Sequence, residues 1–248
     1  MKAAIVGYGN MGKEIEKVLK SRKHEIVAII DPSESNTTHK TITAEALRDA
    51  EVVFEFTHPS QAVKNIEAIA ALGKNVVVGT TGWHDQIKNV ENAVLKNNIA
   101  LIYGTNFSLG VNMFYRIVET AADLVNKTEE YDVYGMEMHH VGKADSPSGT
   151  AKSIAEILLN NIRRKKRVVY DKLDKKIAPD EIHFTSVRAG SLPGTHIVGF
   201  DSKQDKIELR HDAKGREGFA LGAVLAGEWL AGKRGLFTVS DFMNKYFR

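Results

Sequence analysis

The chain contains no cysteine. That absence excludes disulfides, thiolate metal sites and cysteine nucleophiles together, and it suits a reducing cytosol. No apolar run approaches the ~18 residues that a membrane span requires. The N-terminus begins a strand at once, with no apolar stretch behind a basic leader, so no signal peptide is expected. Charge of one sign is also lacking: 34 Lys and Arg stand against 31 Asp and Glu, a net +3. Such a balance gives no case for nucleic acid or a membrane surface and leaves an anionic ligand open. Neither an internal repeat nor a low-complexity tract is found. What remains is an ordinary globular composition, 43% hydrophobic and 26% charged over 248 residues. That length suffices for one large domain or two modest ones with an ample core. The expectation is a soluble cytoplasmic protein.

The first half alternates strand and helix. Lys2–Val6 is a short apolar run ending in Gly7-Tyr8-Gly9-Asn10-Met11-Gly12, and a helical pattern (Ile15, Val18, Leu19) follows. In strand–GxGxxG–helix, the first glycine permits the tight turn, the second lets backbone approach a pyrophosphate, and the third allows close helix–strand packing. Glycines also mark ordinary turns, so the context matters. A second strand, Glu25–Ile30, ends at Asp31, 19 positions beyond Gly12, close to the ~20 expected for the acid that binds an adenosine ribose. Further strand-like runs appear at Glu51–Phe56, Asn75–Gly79 and Ile99–Tyr103, separated by helical patterns at Gln61–Leu72 and Asp85–Lys96. Repeated strand–helix units imply a parallel sheet covered on both faces, with ligands collecting beyond the carboxyl ends of the strands. Those ends carry small and hydroxyl-rich segments: Phe56-Thr57-His58-Pro59, Gly79-Thr80-Thr81-Gly82 and Gly104-Thr105-Asn106-Phe107. Turns favour such residues anyway, but their recurrence on one rim suggests a cofactor crevice, with Thr80, Thr81 and Asn106 as polar contacts. Asp31 accepts from both ribose hydroxyls and repels a 2′-phosphate, and Pro32 leaves no adjacent arginine to hold one. His39 and Lys40 are placed to compensate in part. NADH is therefore expected to serve at least as well as NADPH.

From about Asn106 the rhythm changes. A helix at Val111–Asn126 leads to a strand at Tyr131–Val141, and a second helix spans Ser148 to about Asn161. Strands follow without intervening helices at Glu181–Arg188, Thr195–Asp201 and Lys206–His211, then a last helix from about Phe219 to Ala231. This pattern suggests a second, largely antiparallel layer. The basic run Arg163–Arg167 is expected to be a solvated face at a helix end.

The densest chemistry lies at Glu137-Met138-His139-His140-Val141-Gly142-Lys143-Ala144-Asp145-Ser146-Pro147-Ser148-Gly149-Thr150-Ala151, between a strand and a helix. Side chains alternate along a strand, so His139 and His140 point opposite ways, while His139 shares a face with Glu137, which can orient its imidazole or hold its proton. Adjacent histidines rarely converge on one zinc, and no HxxxH or cysteine spacing is present, so no metal is expected. Lys143 can pair with a carboxylate or donate a proton, or be a plain surface lysine. Asp145 either pairs with it or begins the turn before Pro147. Ser148 is a natural N-cap, and the N–H groups of Gly149 and Thr150 with the Thr150 hydroxyl make an anion site at the helix N-terminus.

This block resembles the signature of the dihydrodipicolinate (4-hydroxy-tetrahydrodipicolinate) reductase family. The resemblance spans nearly the whole chain, through Gly7–Gly12, Gly79–Gly82, Asn106-Phe107-Ser108, Arg188-Ala189-Gly190, Gly194-Thr195-His196, Glu208–His211, Arg216 and Phe219–Ala223. It implies an α/β protein with an N-terminal Rossmann-type parallel-sheet domain and a second α+β substrate and oligomerisation domain with a mixed sheet. Residues 1–106 and about 218–248 would form the dinucleotide-binding domain, and 107–217 the other. The implied reaction is hydride transfer from NADH or NADPH to C4 of a small cyclic dicarboxylate, with loss of water, in lysine and diaminopimelate synthesis. By position, His139 is the proton donor or acceptor, Lys143 the second donor, and His140, Gly149 and Thr150 substrate contacts; Ser148, at the start of the same helix, is taken as a further substrate-binding candidate. The family also implies a homotetramer. One departure is that Tyr8 and Asn10 stand where relatives often carry a small residue and an arginine, which weakens any case for tight NADPH binding.

Overall fold

In the computed structural model, residues 1–170 and 172–247 are described; Asp171 and Arg248, which fall inside the expected domains, lie outside them. The chain divides into two compact units, one of Met1–Leu109 with Arg216–Arg248 and one of Gly110–Gly215.

The first unit is built on strands β1 (Lys2–Val6), β2 (Glu25–Ile30), β3 (Val52–Glu55), β4 (Asn75–Val78) and β5 (Ala100–Tyr103). Helices α1 (Asn10–Ser21), α2 (Pro59–Ala71) and α3 (Ile87–Lys96) alternate with them. Each expected strand and helix is found, with ends moved by a few residues; a 3-10 turn at His84–Gln86 takes the start of the Asp85 helix. With a sixth strand from the end of the chain, β11 (Gly235–Thr238), the strands pair in parallel in the order β11-β5-β4-β3-β1-β2. Their apolar residues are buried on both faces: Ala3, Ile5, Val52 and Phe54 enter one core, Ala4, Val6, Val53 and Val76 the other. A sheet covered twice must be apolar at consecutive positions, which explains the unbroken runs.

The last helix expected from the sequence is not the last. After α6 (Glu217–Trp229) the chain adds β11 (Gly235–Thr238) and α7 (Val239–Tyr246). β11 is short and only partly buried, so it leaves no apolar run to read. α7 does carry a local signal, since Thr238 and Asp241 form a reciprocal capping box. The rigid return of α6 onto α1 is pinned by Glu228, which accepts two hydrogen bonds from Arg22 at 2.8 and 2.9 Å and one ring nitrogen of His24 at 2.7 Å.

The second unit holds α4 (Leu109–Asn126), β6 (Asp132–His139), α5 (Gly149–Asn161), β7 (Arg167–Val169), β8 (Glu181–Arg188), β9 (Thr195–Asp201) and β10 (Lys206–Asp212). Its sheet runs β10-β9-β6-β8-β7. β9 is antiparallel to both β6 and β10, but β8 is parallel to β6 and to β7, so the sheet is mixed rather than largely antiparallel. Parallel pairing of β6 and β8 needs a crossover connection between them, and α5 lies in it. Helices α4 and α5 bury Phe114, Val118, Ile154 and Leu158 against Val133, Phe184, Val198 and Phe200.

The basic run departs from expectation. Lys165 is 3% exposed, donates to the carbonyls of Pro179 at 2.9 Å and Glu181 at 2.8 Å, and pairs with Asp132. Arg164 donates to the carbonyls of Thr128 and Tyr131, and Arg167 opens β7 with an ion pair to Glu181. Once α5 ends at Asn161, Arg164 and Lys165 turn to loop carbonyls, while Arg163, Lys166 and Arg167 stay exposed as expected.

Candidate functional site

Along β6 the covered face carries Val133, Gly135, Glu137 and His139 in turn. It begins as core and ends as chemistry. Pairing extends the polar end across the sheet, for Glu137 is level with Ser186 on β8 and His196 on β9, and His196 is level with His211 on β10. His139 is level with Arg188.

Glu137 is fully buried and is the centre of this group. Its Oε2 contacts Nδ1 of His139 in a short hydrogen bond. Its Oε1 accepts from the Arg188 guanidinium at 2.7 Å and from the Ser148 N–H at 3.4 Å. Burial pushes the carboxyl up, but the hydrogen bonds from the Arg188 guanidinium and the His139 ring oppose it, and the group is held below the usual carboxylate range. The His139 imidazole is pushed down by burial and by the charges of Lys143 and Arg188, against the opposing pull of Glu137. The resting ring is thus neutral near pH 7, with Nδ1–H donating to Glu137 and Nε2 as the acceptor. The β8–β9 loop comes close on the Nε2 side: Gly194 has φ +145°, and a Cβ there would lie 2.9 Å from Nε2.

His140 follows the last residue of β6 and is partly exposed, where His139 is buried. Lys143 pairs with Asp145 at 2.7 Å, which decides between the two roles left open for that acid. Ser148 caps α5 by accepting the Ala151 N–H at 3.2 Å, and it is 3% exposed. Gly149 and Thr150 open the helix, Gly149 being exposed. Sequence reasoning did not name Arg188 and His196 as site residues. His196 is 5% exposed, packs edge-on to the His139 ring at a centroid distance of 5.3 Å, and lies 3.2 Å from the Ser148 hydroxyl. Glu137, His139 and His196 present donor atoms within 4.8 Å of one another, a separation a metal could draw together. Arg188 already supplies the positive partner of that carboxylate.

In the first unit the glycine loop has the shape a dinucleotide pyrophosphate needs. Gly7 adopts φ +93°, and a Cβ on Gly12 would sit 2.2 Å from the Gly7 carbonyl oxygen, so both glycines are required by the backbone itself. A Cβ on Gly9 would meet nothing within 4 Å. That open side, beside the N-terminus of α1, where Gly9 brings no side-chain cap, leaves room for phosphate oxygens at the helix N–H groups. Tyr8 does not fill the loop. Its ring turns into the core, its hydroxyl bonds to Glu16, and the loss of that bond on ionisation raises the phenol to about 12. Asn10 is exposed and Met11 partly so. Asp31 accepts from the N–H groups of Tyr8 at 2.8 Å, Ser33 at 2.9 Å and Glu34 at 3.1 Å. Burial raises this carboxyl, but those bonds and the Lys40 charge lower it more, keeping it anionic.

A cavity of about 690 Å³ opens at this rim, lined by Gly7, Gly9, Asp31, Lys40, Thr57 and His58 among others. Thr80 is buried and its hydroxyl accepts the Thr57 N–H at 2.8 Å. Thr81 and Thr105 are exposed, Gly79 and Gly104 partly buried. Asn106 accepts from the Ser108 N–H at 2.9 Å. Phe107 differs in kind: its side chain is core, 3% exposed, so only its backbone belongs to the rim.

Family models agree with both halves. The dihydrodipicolinate reductase N-terminal family matches residues 1–107 and the C-terminal family residues 110–243. A 4-hydroxy-tetrahydrodipicolinate reductase of Christiangramia forsetii is 40% identical over 248 residues, the full length of both chains. One of Archaeoglobus fulgidus is 41% identical over 201 residues, 79% of this chain and 76% of that protein. Among solved structures, a dipicolinate-bound dihydrodipicolinate reductase from Paenisporosarcina has the same fold, with a TM-score of 0.77 over 96% of this chain and 97% of the other at 23% identity.

Proposed function

The chain belongs to the dihydrodipicolinate reductase family, the nicotinamide-dependent oxidoreductases of lysine and diaminopimelate synthesis, and we propose how its own residues carry that reaction. The substrate is 4-hydroxy-tetrahydrodipicolinate, a small dicarboxylate; one hydride and one proton are added, one water is lost, and tetrahydrodipicolinate results. The cofactor belongs to the unit with the glycine loop and the substrate to the unit with His139. The observation that carries the assignment of roles is the Glu137–His139 pair next to the α5 N-terminus.

A bound reduced nicotinamide supplies the hydride. Gly7 to Gly12 and the α1 N–H groups hold its pyrophosphate, and Asp31 accepts from the ribose hydroxyls. Ser148, Gly149 and Thr150 bind one substrate carboxylate, and His140 supports its orientation. Lys143 draws the dianion in and offers a proton. Substrate charge opposes the burial, Lys143 and Arg188 effects that keep His139 neutral, so the ring gains a proton at Nε2 when substrate binds and returns it as hydride arrives. Glu137 holds the ring at Nδ1 throughout.

NADH serves at least as well as NADPH. The cations near Asp31 are already engaged: Lys13 pairs with Glu34 at 3.1 Å, and Lys40 bonds to the Glu34 carbonyl and, at 3.3 Å, to Thr37. A 2′-phosphate would have to displace these contacts beside an anionic acid. Four copies of the chain would associate through the uncovered face of the second sheet, where Met136 and Met138 are partly exposed and Val187 is 37% exposed. The cytoplasm is the compartment that fits the chemistry. The deciding experiment follows NADH oxidation with freshly generated product of dihydrodipicolinate synthase. Turnover with that substrate supports the reading; none at any cofactor concentration sinks it.

A further inference from the structure

Four of the five buried polar side-chain atoms without a partner among the described residues lie around one level of the second sheet: Ser186 Oγ, Arg188 Nε, His196 Nδ1 and His211 Nδ1. His196 is the informative member, because its other nitrogen does have a partner, the Ser148 hydroxyl at 3.2 Å. Buried donors left unpaired are rarer in proteins than under-satisfied acceptors. The proton of a neutral His196 therefore belongs on Nε2, and the bare lone pair on Nδ1. The ring is indeed neutral, since burial and the neighbouring His139 push it down to about 4.

This tautomer determines what Ser148 can do. Its oxygen already accepts the Ala151 N–H at 3.2 Å. With Nε2–H of His196 donated to the same oxygen, both acceptor positions are filled. The hydroxyl's own proton then has nowhere to go but outward, beside the N–H groups of Gly149 and Thr150. We propose that His196 is a positioning residue that locks the Ser148 hydroxyl as a donor toward a substrate carboxylate at the start of α5. With the opposite tautomer, Ser148 would spend its proton on the histidine and present only lone pairs to an anion. The inference rests on the reading of Ser148 as a carboxylate contact. It adds the residue that decides the direction of that contact.

The test is a double-mutant cycle read by calorimetric binding of dipicolinate, which does not depend on turnover. His196→Leu should weaken dipicolinate about tenfold, the loss of one hydrogen bond to a charged group, with NADH affinity unchanged. Ser148→Ala should cost about the same, and the double variant no more than either alone, because His196 acts through Ser148. His196→Gln, which keeps a donor at the Nε2 position, should recover most of the affinity. Thermal melts of each variant separate this from misfolding, and the Gln variant keeps the test sharp if the Leu variant fails to fold. Additive losses, no recovery in the Gln variant, or a ¹⁵N spectrum with the His196 proton on Nδ1 would each overturn the proposal. So would wild-type protein that does not bind dipicolinate. The reductase reading is judged separately, by NADH oxidation.

Discussion

Replacing Glu137 with glutamine is the most demanding test of the site. Glutamine has the same shape but one acceptor in place of two. Both carboxylate oxygens face donors: Oε1 meets Arg188 at 2.7 Å and Ser148 N–H at 3.4 Å, and Oε2 meets His139 Nδ1. The amide oxygen must stay with the guanidinium, because the NH₂ there would confront a fixed cation. The NH₂ then faces His139, whose Nδ1 becomes an acceptor and whose proton moves to Nε2. A hydrogen bond to a charged group is worth about 1.5–3 kcal/mol, so the imidazolium loses roughly that much support at the moment it must carry the proton. At 1.36 kcal/mol per tenfold, kcat should fall by about one to two orders of magnitude. Cofactor affinity should stay within about threefold, because the glycine loop belongs to the other unit. The assay is steady-state NADH oxidation with cofactor and substrate varied separately, together with ¹⁵N shifts of His139 to read the tautomer. A kcat within threefold of wild type, in a protein whose His139 tautomer has changed, would refute the claim that Glu137 supports the imidazolium.

Other consequences concern neighbouring groups. His139→Gln and Lys143→Ala should each lower kcat far more than they change NADH affinity; unchanged turnover in both would remove them from the mechanism. Lys143→Ala also deletes a positive charge that depresses His139, so the His139 pKa followed by NMR should rise, and no movement would show that the lysine is too far or too mobile to matter. His196 titrates near 6.5 when unfolded and at about 4 when folded. A depressed histidine contributes its stability fully above pH 6.5 and loses it as pH falls toward 4. The loss amounts to about 3 kcal/mol, and urea titrations across that window should show a shallower decline in His196→Gln. Asp31→Asn should raise the KM for NADH several-fold while leaving or lowering that for NADPH; equal losses for both would mean that the acid shapes the loop without reading the ribose.

Much of this molecule is written in local pattern. The strands of the first sheet are unbroken apolar runs because both faces are covered, and the glycine loop is recognisable because backbone geometry leaves no room for side chains at Gly7 and Gly12. Period two along β6 puts Glu137 and His139 on one face, and the serine before Gly149 caps a helix. These follow from rules acting over a few residues. The partners of that face do not. Arg188 reaches Glu137 across 51 positions and His196 reaches Ser148 across 48, and both depend on β8 and β9 flanking β6 in one particular register. Register is chosen by the burial of whole faces, a property of the assembled sheet with no local code. The same reason explains Arg164 and Lys165 in the basic run after α5, drawn inward to serve loop carbonyls while their neighbours stay exposed, and β11, too short and half-buried to announce itself. The chain alone therefore determined which residues stand at the strand–helix junction; the tertiary pairing decided which buried partners surround them and hold their protons in place.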